Sequence, residues 1–470
     1  MGDREGSSAA PSGDGRAETG GDAEAVSRPA EPEKEEVAAG SDFRLTDDYT
    51  IPAGAKTKYR ANVAAIKLLK QIEQEGRLAT PEEQQTLAQY TGWGGIPQAF
   101  QWSRDWQHEY EELQDVLTDE EYQSARASTP NAHYTDPKTI RAIYEGLKHL
   151  GFKGGKLLEP GAGIGHFLGL IPGDLRSKTQ KTAIEKDSIS ARIAKQLYQR
   201  ANVVHSPYQD VVLPENFFDV AVGNVPFANV QIFDPHNKDL TQKRFSLHDY
   251  YFAKALTQVR PGGIVAFITS RYTMDKVNGK LRDFITSKAD FIGAMRLPNT
   301  QFKEIANTDV VTDIIVLQRR EDGTAAGGES WGKSENFTVG KETIGLNEYY
   351  VRHPEQILGK LTTSGTMYRD NEATVEPDGR DMRQAIEDAF KRLPEKILRP
   401  RNKPASVSPR GLLEAMDATD DVKDGAFTIQ NNALYVRRKH QFVPVEDISP
   451  TDLERAKGLI NLREQTRQVL

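Results

Sequence analysis

Lys156-Leu157-Leu158-Glu159-Pro160-Gly161-Ala162-Gly163-Ile164-Gly165-His166-Phe167 is the stretch that decides the fold. A short apolar run ends in a carboxylate, turns through three glycines and enters a helical pattern. Glycine is needed where φ is positive or where a ligand must approach the backbone. In an open α/β sheet, ligands lie beyond the C-terminal strand edges. The next apolar run, Thr182-Ala183-Ile184-Glu185, ends in an acid placed 22 residues after Gly163. That is about where an acidic residue binds a ribose hydroxyl. The pair predicts a nucleoside-containing ligand.

The acid at the strand end narrows the ligand further. A carboxylate at Glu159 is poorly placed for a pyrophosphate, because like charges repel. It suits a ligand that carries an ammonium or sulfonium centre. S-adenosylmethionine has an adenosine, a ribose diol and both cationic centres.

Outward from this turn, short apolar runs alternate with helical stretches. The runs are 156–158, 182–185, 203–205, 218–223, 264–269, 291–296 and 313–318. Seven strands with intervening helices predict an α/β domain with a mostly parallel sheet over 131–320. Before it, 43–130 reads as helical, with Ile66, Leu69 and Ile72 on one stripe. Thr80-Pro81-Glu82-Glu83 and Thr118-Asp119-Glu120-Glu121 read as capping boxes. Asp136-Pro137 caps another helix. The intervening Tyr90-Thr91-Gly92-Trp93-Gly94-Gly95-Ile96-Pro97 reads as a helix–helix corner with Trp93 in the core.

Residues 1–42 are expected to be a disordered acidic tail, since the first 40 residues hold ten acidic and four basic side chains and few large apolar ones. The whole chain of 470 residues carries a net charge of −7, so the remainder is close to neutral and any phosphate contacts must come from local clusters. Beyond the sheet, 321–390 is a mixed accessory region and 391–426 a basic, Pro-rich linker. Residues 427–470 read as a hairpin around Asn431-Asn432 and a C-terminal helix. The chain stops inside that helix's amphipathic pattern, so the expectation is a piece of something longer or a docking helix. No run of about 18 apolar residues exists, so no helix is expected to span a membrane. The Cys count is 0, which removes thiolate zinc sites and a Cys nucleophile. The nine histidines form no local metal scaffold, and no metal is expected. A cytoplasmic location is the expectation.

The third element is Phe218-Asp219-Val220-Ala221-Val222-Gly223-Asn224-Val225-Pro226-Phe227. A buried strand delivers an amide and then an aromatic across a Pro-stiffened turn. Here the sequence resembles the N6-adenine DNA methyltransferases, whose hallmark is Asn-Pro-Pro-Tyr/Phe after the fourth strand. The resemblance implies a Rossmann-like seven-stranded S-adenosylmethionine-dependent methyltransferase fold, with an N-terminal helical region and a smaller C-terminal α+β region. It implies that Asn224 and the carbonyl of Val225 accept hydrogen bonds from the target amino group, and that Phe227 stacks on the extruded base. Pro226 stiffens the turn. Val225 replaces the family's first proline, so the turn loses one fixed φ. Tyr134 and Thr135 match the family's Tyr-Thr-Pro element and are implied cofactor contacts, in the γ order of motifs. Glu159, Pro160, Gly161, Gly163, Gly165 and Glu185 complete the implied cofactor set, with Asp210 the candidate for the acid after the third strand. No metal is implied.

The wording GNVPF, with YTGWGGIPQAF upstream, looks most like the methylase part of large plasmid and phage helicase–methyltransferase fusions. No GxxxxGK[ST] loop occurs in these residues, so the motor is not among them, and a helicase module or partner subunit is an expected partner. The implied activity is that of an adenine-specific site-specific DNA methyltransferase, of the EC 2.1.1.72 kind, acting on flipped bases in restriction–modification. The missing cysteine agrees, because methylation of a cytosine carbon needs a covalent Cys nucleophile and amino-group methylation does not. Two other readings fit the same residues. One is a weak or inactive methyltransferase-like module that binds or protects DNA. The other is methylation of RNA or protein by the same Asn-centred site.

Overall fold

The computed structural model describes residues 40–46, 49–129, 135–300, 310–363, 373–399, 416–417, 422–430, 433–438, 441–445 and 450–469. Residues 1–39 of the tail, Tyr134, and the Asn431-Asn432 turn lie outside the described residues.

The seven strands are β1 (Gly155–Pro160), β2 (Thr179–Glu185), β3 (Asn202–His205), β4 (Phe218–Asn224), β5 (Val259–Ser270), β6 (Ala289–Leu297) and β7 (Thr312–Arg319). They form one sheet in the order β3-β2-β1-β4-β5-β7-β6. The β1–β5 strands pair in parallel, whereas β7 runs antiparallel between β5 and β6. Strands buried on both faces read as unbroken apolar runs. That is why β4 and β5 were legible without alternation. Alternate residues serve two cores. Leu157, Val220, Val222 and Ile268 face one layer, and Leu158, Ala221, Val265 and Phe267 face the other. This is a seven-stranded mixed α/β sheet with one reversed strand, as the Rossmann-like expectation requires.

The first layer includes the N-terminal helices. Ile66, Leu69 and Ile72 of the helix Ala55–Gln74 are fully buried, as their spacing predicts. Both capping boxes form, at Thr80 and Thr118, and Asp136 caps the helix Pro137–His149. A later helix, Met382–Lys391, packs on Pro137–His149. Gly146 allows this approach, because a Cβ there would lie 2.3 Å from the Phe390 ring. The chain then stays on the sheet. Lys396 and Leu398 donate backbone hydrogen bonds to His149 and Leu150 at 3.0 and 2.9 Å.

The second layer is built on the helices Leu247–Gln258 and Lys280–Lys288. Ser246 stands at the N-cap of the first but does not cap it. Its hydroxyl lies 3.2 Å from His248 Nε2 and accepts from Lys276 Nζ at 3.2 Å. The accessory region 321–390 contains a hairpin, Ser334–Val339 with Glu342–Asn347, and a short antiparallel pair, Lys360–Thr362 with Thr374–Glu376. Among the described C-terminal residues, Phe427–Gln430 and Ala433–Arg438 pair as a hairpin, and Pro450–Val469 is a helix. No helix among the described residues is long and apolar enough to cross a membrane.

Candidate active site

The sheet order reverses direction between β1 and β4, and ligands of open α/β sheets bind at such a switch point. A cavity of about 430 Å³ lies there, beyond the C-terminal ends of β1, β2 and β4. It is of small-ligand size.

The glycine turn forms its floor. Gly161 and Ala162 donate to the Ile184 carbonyl at 2.8 and 3.0 Å, which ties the turn to β2. Gly161, Gly163 and Gly165 take φ of 71°, 57° and 84°. Gly161 and Gly163 line the cavity. Pro160 and Gly165 do not. Pro160 closes β1 opposite Ile184. Gly165 serves packing: a Cβ there would sit 2.5 Å from Tyr198 Cε2. Gly165→Ala is therefore expected to cost about 1–3 kcal/mol through overpacking and left-handed strain. A urea midpoint equal to wild type would show that the Tyr198 ring yields freely.

Two carboxyl groups face the cavity from adjacent strands. Glu185 accepts the backbone N–H of Gly163 through Oε2 and of Asp187 through Oε1, each at 2.7 Å. Burial nevertheless pushes its carboxyl up to about 7. Glu159 is 3% exposed. Burial, and then the charge of Glu185, hold it well above the usual carboxylate range, although the N–H groups of Phe167 and Leu168 bond to it. Its Oε2 is buried without a hydrogen-bond partner among the described residues. A buried acceptor in that state is costly, and a cationic ligand would relieve it. The residues thus fit S-adenosylmethionine: an acid with one unpartnered oxygen for its cationic centres, a second acid for a ribose diol, and apolar walls.

Asn224, Val225, Pro226 and Phe227 reach the same cavity from the end of β4. Asn224 is paired in register with Ile268 of β5. The N–H of Val225 donates to the Ile268 carbonyl at 3.1 Å, and its side chain is 1% exposed. A proline there has no N–H to give. This turn is pinned to β5 by a hydrogen bond that a proline at 225 would lack.

Thr135 also lines the cavity. Asp210 does not. The 3₁₀ turn Tyr208–Asp210 turns Gln209 and Tyr208 to the wall, and the Asp210 charge acts on Lys254. Several wall residues were not anticipated. Tyr251, 7% exposed, has its ring 4.9 Å from that of Tyr208. A Cβ on Gly161 would touch Tyr251 at 3.5 Å. The available signal was the aromatic run Tyr250-Tyr251-Phe252 at a helix start. His166 lines the cavity too, and burial pushes its imidazole down to about 4, so it is neutral at pH 7.

Among solved structures, a class I S-adenosylmethionine-dependent methyltransferase from Listeria monocytogenes aligns at 16% identity and TM-score 0.36, over 57% of this chain and 91% of its own. A type I restriction-modification methyltransferase subunit from Streptococcus thermophilus aligns at 11% identity and TM-score 0.35, over 57% and 79%. Among curated proteins, Defense against restriction protein B of Escherichia phage P1 is 29% identical over 270 residues, 56% of this chain and 10% of that protein. The chain thus spans about a tenth of that relative's length. Residues 155–301, which run from β1 to just past β6, match the family model described as Eco57I restriction-modification methylase.

Proposed function

We propose that the chain transfers the methyl group of S-adenosylmethionine to the N6 amino group of adenine in DNA, on a base rotated out of the duplex. One observation carries the reading: Asn224 lines the same cavity as the glycine turn, Glu159 and Glu185. The cofactor supplies an electrophilic methyl group. Asn224 Oδ1 and the Val225 carbonyl accept the hydrogens of the target amino group and orient its lone pair towards that methyl group. Catalysis of this kind is positioning plus electrostatics. As the new N–C bond forms, the S–C bond breaks, and the proton released from nitrogen passes to water. Phe227 stacks on the base, which offsets part of the few kcal/mol spent on unstacking it. DNA is the partner, and a helicase module or partner subunit is the further partner we propose.

The test is transfer of labelled methyl groups to unmethylated DNA of mixed sequence. Wild type is expected to label DNA. Phe227→Ala is expected to lower kcat/KM by about 10–100-fold, from a lost stacking contact of about 1–3 kcal/mol. No labelling of DNA by wild type would sink the reading.

Cofactor affinity should depend on pH. The ribose hydroxyls need Glu185 ionised, and its carboxyl titrates at about 7. Below that value the acid is protonated and binds the diol poorly, so affinity rises with pH. Calorimetry with S-adenosylhomocysteine is expected to give about tenfold weaker binding at pH 6 than at pH 8. Glu185→Gln should bind weakly at both. A flat profile for wild type would remove Glu185 from the role.

A further inference from the structure

The Tyr90–Pro97 corner has so far only a packing role, with Trp93 fully buried against Phe100 at a ring distance of 5.1 Å. Yet the same corner turns Tyr90 and Gly92 onto the cavity wall. A buried carboxamide from the first helix fixes it there. Asn62 donates to the Gly92 carbonyl at 2.6 Å and accepts from the Thr91 N–H at 2.8 Å. Asn62 is 0% exposed. A buried carboxamide held at both its oxygen and its nitrogen favours one geometry.

Two bridges locate the N-terminal layer along the cavity. Tyr49 donates its hydroxyl to the Ala88 carbonyl at 2.8 Å and stands 3.4 Å from His166 Nε2. His166 follows the glycine turn, so the corner lies at the Glu159 end. Ser124 donates to Asp187 Oδ1 at 3.1 Å, and Asp187 in turn holds Glu185. The helix Asp119–Ser128 therefore lies at the Glu185 end, where Ser124, Ala127 and Ser128 line the wall.

We infer that this N-terminal layer is a cofactor-covering element: the Tyr90–Gly92 corner closes over the amino-acid part of S-adenosylmethionine, and the helix Asp119–Ser128 over its adenosine. The inference rests on the cofactor reading above and adds binding residues that precede the seven-stranded sheet. Asn62 is a positioning residue, acting through the corner.

The experiment is calorimetry on the full chain with two probes, S-adenosylhomocysteine and 5′-methylthioadenosine, which lacks the amino-acid part. Ala127 is exposed, so Ala127→Trp adds bulk to the wall without emptying a core. It should weaken both probes at least about tenfold, with an unchanged Tm, because the ring takes ligand volume. Gln123→Trp, exposed on the same helix but off the cavity wall, should leave both unchanged. Asn62→Ala should weaken S-adenosylhomocysteine several-fold more than 5′-methylthioadenosine. That ratio is insensitive to a reduced folded fraction. Wild-type affinity for both probes in Ala127→Trp, or equal weakening of both in Asn62→Ala, would overturn the inference while leaving the cofactor reading intact. Failure of wild type to bind either probe would overturn both.

Discussion

Asn224→Ala is expected to lose about 10²–10³-fold in kcat while binding S-adenosylhomocysteine within about threefold of wild type, the scale seen when one preorganised polar contact to a transition state is removed. The separation follows from where the side chain stands. Its backbone continues β4 in register with Ile268, and the following Val225 N–H is held by the Ile268 carbonyl. Neither contact uses the carboxamide. The glycine turn and Glu185 are likewise tied to β2 and to each other by backbone donors, so the cofactor end keeps its shape. A loss of kcat with unchanged cofactor affinity is the signature of a contact made to the reacting group. Parallel loss of both would instead make Asn224 a structural residue of the turn.

The second large effect concerns stability. Arg296 is 0% exposed and grips Asp313 through Nε and Nη2 at 2.8 and 2.9 Å, with Nη1 2.8 Å from Asp275. Tyr350 donates to Asp313 at 2.8 Å, and the Asn347 N–H donates to Asp275 at 3.0 Å. The cluster thereby joins β6 and β7 to the region that follows the seven-stranded sheet. Arg296→Met leaves Asp313 buried without its cation and Asp275 with Arg271 3.6 Å away, and should cost about 3–5 kcal/mol. Burial already holds the Asp313 carboxyl above the usual carboxylate range, and with the guanidinium gone it rises further. The deficit is therefore full at neutral pH and shrinks as pH falls through the raised value. Urea unfolding at pH 7 and pH 5 reads both. A loss below about 1 kcal/mol at pH 7 would mean that water reaches the pair.

Sheet and site were legible to different depths, for physical reasons. All seven strands were visible because burial on both faces leaves continuous apolar runs such as Val220-Ala221-Val222. The cavity residues that follow strand ends, Glu159, Glu185 and Asn224, were visible because their position is set by local chain direction. Asp210 was not resolvable in the same way. One 3₁₀ turn decides whether it or Gln209 meets the wall, and turn phase is not carried by residue type. The substitution at Val225 looked like a loss, since the acceptor of its N–H, Ile268, lies on another strand. The Tyr90–Gly92 corner is the clearest case. Its sequence announces a rigid turn, but the cavity it faces is assembled from β1, β2 and β4, all later in the chain. The basic stretch after Lys391 reads as solvated linker by composition. The hydrogen bonds of Lys396 and Leu398 to the end of the helix Pro137–His149 are invisible without tertiary contacts.

Nucleoside analysis of DNA treated with the wild-type chain and methyl-labelled S-adenosylmethionine bears most directly on the Asn224-centred chemistry. The expected result is label in N6-methyldeoxyadenosine alone. Label in a cytosine derivative, or unlabelled DNA from a chain that binds the cofactor, would contradict it.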